Sequence, residues 1–155
     1  MILANQLKEH LKSPKSTYAG SRDKDFNCDV VRVVGVCVTG HDTVKFFIAE
    51  STASKTLDNF KANKLINLSS TNVFTTESYQ LKGRVLSIKA GTTEDQMLVN
   101  DCIQRFDEDV STIGFRPGMI TEKLPHNPVI AIEFVVDQIF DQTPKVGTGK
   151  SMETV

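Results

Sequence analysis

Tryptophan is absent from this 155-residue chain, and no apolar run approaches the ~18 residues that a membrane-crossing helix needs. The second absence excludes a helical span, so no membrane partner is expected. Cysteine is scarce: Cys28, Cys37 and Cys102 form an odd set without CxxC spacing, which reads as buried free thiols in a reducing cytoplasm. Neither sign of charge is in excess, with 18 basic and 19 acidic residues and a net charge of −1. No global field therefore draws the protein to nucleic acid. The phosphate-binding glycine loops, the nucleophile elbow and the zinc-helix motif are all missing. His10, His41 and His126 stand apart, without local ligand partners, so they read as solvent-facing or capping and no metal site is expected. The opening MILANQLKEHLK has charges inside its apolar run, unlike a signal peptide.

What the chain does have is alternation. Its length fits a single domain over 1–155, with a core at about 15–141 and a loose tail over 142–155. Strands are expected at 16–22, 29–40, 44–49, 65–68, 78–90 and from Pro128 toward Phe140, rich in Val and Ile. Gly35 marks a bulge or a place where something flat approaches the backbone. Helical spacing appears at residues 2–12 (Ile2, Leu3, Leu7, Leu11), at 53–63 (Ala53, Leu57, Phe60) and from Thr93 to Asp109. Thr93 and Gln96 suit a capping box. Hairpin links predominate over alternating crossovers, which points to a mainly β fold, an antiparallel barrel with two to three flanking helices.

Two features suggest an anion. At the strand-to-helix corner IAESTASKTLDNF, Ser51 or Thr52 is the natural N-cap, and first-turn amides with a partial positive charge favour a negative ligand. Lys55 in that first turn is unfavourable by roughly 0.3–1 kcal/mol unless an anion sits beside it. Arg32 interrupts the Val-rich strand, so it either faces outward or meets an anion through its forked donors.

The order Arg32-Val33-Val34-Gly35-Val36, Phe46-Phe47-Ile48-Ala49, Ser54-Lys55 and Tyr79-Gln80-Leu81-Lys82-Gly83-Arg84-Val85 resembles the pyridoxamine 5′-phosphate oxidase-like superfamily of FMN-binding split β-barrels. Phe140-Asp141-Gln142-Thr143-Pro144 also looks like the end of one branch of it. The resemblance implies a split antiparallel barrel and a homodimer with flavin at the subunit interface. It implies that Arg32 and Lys55, aided by Ser54, bind the FMN phosphate, and that the backbone of Val33, Val34, Ile48 and Ala49 lies beside the flavin. The family's flavin-contacting glutamine falls on Ser78 here, and Gln80, on the same strand face, is expected to substitute.

Departures from the oxidases narrow the activity. Ser54 replaces an arginine, Cys37 replaces a lysine, and both the tryptophan and the C-terminal arginine motif used for pyridoxal phosphate are missing. The expectation is an FMN-dependent oxidoreductase with a small-molecule electron donor or acceptor, with no catalytic residue nominated. The alternatives are a non-catalytic flavin-binding or stress-associated protein, and a split barrel that binds haem or a deazaflavin.

Overall fold

Side chains on a strand point alternately to its two faces, and that alternation builds the core. The structure, a computed structural model, describes residues 3–152, so Met1, Ile2 and residues 153–155 lie outside the described residues. Six antiparallel strands, β1 (Ser16–Arg22), β2 (Cys28–Val38), β3 (Thr43–Ala49), β4 (Leu65–Thr71), β5 (Ser78–Ala90) and β6 (Val129–Asp141), close into one barrel in the order β1-β2-β3-β6-β5-β4. β1 pairs with β2 on one side and β4 on the other, which seals the cylinder. Val31, Val33, Phe46, Ile48, Leu68, Leu81 and Phe134 point inward and fill it. Phe46 meets the rings of Phe60 and Phe134 edge-on, a geometry that favours the ring quadrupoles.

Four helices flank the barrel among the described residues: α1 (Asn5–Lys12), α2 (Ser54–Asn63), α3 (Thr93–Ser111) and α4 (Met119–Lys123). Leu7 and Leu11 of α1 and Phe60 of α2 join the barrel core. α3 instead lies on the outside, where Val99 and Ile103 pack against Val34, Phe47 and Ala131.

Helix starts differ from the sequence reading. Ser51 and Thr52 do not cap α2, because they lie in a single 3-10 turn, Glu50–Thr52, and the N-cap is Ala53 with no side-chain hydrogen bond. Ala53 is fully buried, and its amide is already bonded to the Glu50 carbonyl, so the turn rather than a hydroxyl launches the helix. The capping box of α3 sits one residue earlier than expected. Asp95 and Thr92 exchange side chain-to-amide bonds at 3.1 Å, while Gln96 reaches the His126 carbonyl.

Of the two alternatives for Gly35, the bulge is present, and its backbone is approached by a helix rather than by something flat. The β2–β3 register shifts between Val33 and Gly35, and a Cβ there would stand 3.2 Å from Phe47 and 3.3 Å from Val99. What approaches its backbone is α3. Gly83 is tighter still, because a Cβ would fall 2.0 Å from the Val135 carbonyl oxygen on β6. Of the thiols, Cys28 is exposed rather than buried, while Cys37 and Cys102 are half-buried. The tail after Asp141 is mostly exposed but tethered as far as Met152, whose amide donates to the Ile139 carbonyl.

Candidate functional site

Arg32 lies on the outer face of β2, since Val31 and Val33 on either side of it point into the core. Its Nη1 donates to Ser16 Oγ at 3.0 Å and its Nη2 to the Lys15 carbonyl at 3.4 Å. The guanidinium carbon stands 5.0 Å from the centre of the Tyr18 ring and 5.1 Å from that of Phe106. Contacts of this kind contribute roughly 0.5–1 kcal/mol each and more when dry. No carboxylate pairs with Arg32 among the described residues, and its Nε is shut off from solvent without a partner. A half-buried cation with neither a counter-ion nor full hydrogen bonding is costly, which is the condition an anionic ligand relieves.

Two spaces open on this side chain. An inner cavity of about 30 Å³, lined by Lys15, Thr17, Arg32 and Ser70, has room for little more than ordered water. An outer groove of about 320 Å³ lies between Tyr18, Arg32, Phe106 and the α4 segment. α4 is held there by Asp107, whose carboxylate accepts the amides of Gly118 and Ile120 at 2.6 Å each. Those bonds hold the Asp107 carboxyl below the usual carboxylate range.

The register extends the site across the sheet. Arg32 pairs with Tyr18, Tyr18 with Ser69, Ser69 with Gln80 and Gln80 with Phe140, so one row crosses five strands. Tyr79 and Leu81 point into the core, so Gln80 faces outward as Arg32 does, but three strands away in either direction round the closed ring, and it lines neither space at Arg32. Along the barrel wall three strand spacings, roughly 14–15 Å, separate the two backbones. A neighbouring groove of about 830 Å³ is lined by Gly20, Val30, Asn67 and Lys82 of the next row.

The other expected residues divide between this site and elsewhere. Val33 and Val34 are buried but line the inner cavity together with Arg32, while Ile48 is a core residue and Ala49 is buried beside the turn into α2. Ser54 and Lys55 are exposed on α2 and line neither space at Arg32. The α2 corner already has acids: Thr56 Oγ1 donates to Asp29 at 2.5 Å, and Lys55 acts on the Asp23 carboxyl, whose low pKa comes first from Asn27 hydrogen bonds.

Sequence reasoning missed a buried cluster around His10. The ring is 5% exposed, lies 3.2 Å from Ser70 Oγ through Nε2, and stacks edge-on against Tyr79. Glu77 lies 3.7 Å from Nδ1 and accepts the Tyr79 hydroxyl at 2.8 Å. Burial, with Lys15 nearby, lowers the His10 pKa, and burial likewise lowers that of Lys15. The signal was present, because His10 continues the Leu3, Leu7 and Leu11 stripe at helical spacing. Phe106 and Lys123 gave no local signal, since only packing brings them to Arg32.

No family model and no curated protein matches the chain. Solved structures do. A candidate pyridoxamine 5′-phosphate oxidase of Lactobacillus delbrueckii is 12% identical with a TM-score of 0.57, over 90% of this chain and 93% of that one. An F420 reductase is 16% identical at TM-score 0.61, over 88% and 98%. A Clostridium acetobutylicum protein related to general stress protein 26, of the pyridoxinephosphate oxidase family, is 13% identical at 0.55, over 96% and 92%. These likenesses show the fold, an antiparallel split β-barrel shared with those three proteins.

Proposed function

We propose that this chain is an FMN-binding protein, anchoring the cofactor phosphate at Arg32 and acting as a flavin-dependent oxidoreductase on a small molecule. The observation that carries the reading is Arg32 itself, a cation without a counter-ion, its Nε unpaired, walled by two aromatic rings. When bound, FMN supplies the redox chemistry, and the chain supplies binding and orientation. Arg32 neutralises the phosphate, while Tyr18 and Phe106 hold the guanidinium in place.

Exposed Tyr18, Val30 and Leu65 on this uncovered half of the barrel support a homodimer with the flavin at the contact. Three unpaired thiols support a reducing, cytoplasmic setting. A deazaflavin phosphate has the same anchor chemistry, and the likeness to an F420 reductase favours it as the second reading.

The visible spectrum of the purified protein, followed by titration with FMN and riboflavin, tests the proposal. Flavin bands and a preference for FMN over riboflavin are expected. Arg32→Ala should weaken FMN binding by about 1.5–3 kcal/mol, the scale of hydrogen bonds to a charged group, and leave riboflavin unaffected. A Soret band, or equal affinity for both flavins, would overturn it. Oxidation of NADH or NADPH by the loaded protein separates an oxidoreductase from a flavin carrier.

A further inference from the structure

We propose that Lys123 on α4, and not Lys55 on α2, is the second cation of the Arg32 site. The inference rests on the reading that Arg32 takes an anion, and it names the residue that completes the grip. Lys123 and Arg32 line the same groove of about 320 Å³, and no acidic residue lines it with them. Lys123 is exposed and forms no ion pair among the described residues. Its position is set, because Asp107 on α3 holds the start of α4 through the amides of Gly118 and Ile120.

Lys55 is placed differently. The α2 corner is bonded through Thr56 to Asp29, and Lys55 acts on Asp23, which follows the last residue of β1. Arg32 pairs with Tyr18, whereas Arg22, next to Asp23, pairs with Cys28. Four residues of strand separate those pairs, roughly 13 Å. The Arg32 guanidinium moreover turns to Ser16 and Lys15, at the end of β1 away from Arg22, so it faces away from the α2 corner. Two carboxylates at the α2 corner also oppose an anion there.

The rest of the groove defines the ligand's chemistry. Tyr18, Phe106, Met119 and Leu124 give apolar and aromatic walls around the two cations. The match is an organic phosphate with an aromatic body, of which FMN is one and a simple aryl phosphate another.

The test compares wild type, Lys123→Ala and Lys55→Ala, both exposed positions. FMN and riboflavin are titrated by flavin fluorescence, and phenyl phosphate by the Arg32 Nε–H resonance in a proton–nitrogen correlation spectrum. Lys123→Ala should weaken FMN and phenyl phosphate about tenfold, the scale of one charge-assisted hydrogen bond, and leave riboflavin unchanged. Lys55→Ala should change none of them. Phenyl phosphate binding that weakens in Lys123→Ala, in a protein that ignores FMN, would retain Lys123 and end the flavin reading. Loss in Lys55→Ala with none in Lys123→Ala would overturn the assignment, as would failure of both phosphates to bind wild type.

Discussion

A methyl group at Gly83 would overlap the Val135 carbonyl oxygen, 2.0 Å away, and press on Phe134 at 2.9 Å. Neither can yield, since one is β6 backbone and the other a core ring. Gly83→Ala should therefore destabilise the fold by about 3 kcal/mol, the upper end of ordinary overpacking, measured by urea denaturation. His10 makes a second residue-scale prediction. Its pKa is lowered in the folded state from 6.5, first by burial. The unfolded chain then binds the proton more readily, so the contribution to stability is full above pH 6.5 and falls as the pH drops toward the folded value. Lys15 opposes the imidazolium, while Glu77 only partly offsets it. The urea midpoint should fall between pH 7.5 and 5.5, and His10→Gln should flatten that slope. An equally steep slope in the variant would show that another group titrates.

At the scale of elements, α4 depends on one carboxylate. Asp107 accepts three amides, from Gly118, Ile120 and Thr121, and its pKa is lowered chiefly by the Gly118 bond. A depressed carboxyl pKa contributes above the unfolded value of about 4, and the contribution is lost as pH falls through the folded value. Asp107→Asn should speed amide exchange at Gly118 and Ile120 at pH 7, and wild type should show the same loosening only in strong acid. This element also marks the limit of what the sequence reveals. β1 and β5 were legible to the residue, because their alternation is local. The α2 cap was not, because buried Ala53 and a 3-10 turn overrode the preference of Ser51 and Thr52 for capping. Arg32 could be singled out as a charge among valines, but its walls could not. Phe106 and Lys123 are more than seventy residues away along the chain and reach it only through the packing of α3 and α4.

For the whole molecule, the helices divide the barrel surface. α3 covers β2, β3 and β6 on one side and borders the row through Tyr18 and Arg32, while the next row, through Val30, Gly20 and Asn67, stays open. A dimer through the open side should show about twice the mass of one chain in sedimentation equilibrium. Val30→Lys, at a position 65% exposed, should reduce it to the monomer without changing the circular dichroism spectrum. A monomeric wild type would remove the dimer from the proposal.

The pairing of β1 with β4 that seals the cylinder has one more consequence. An open sheet ends in a strand with unpaired amides and carbonyls, and such a margin recruits foreign strands into amyloid-like stacks. This barrel has no such margin among its described strands. Self-association of the native state must then proceed through side chains on a face, where each contact depends on residue identity. Substitutions there can tune assembly without seeding fibrils, so long as the cylinder itself stays shut.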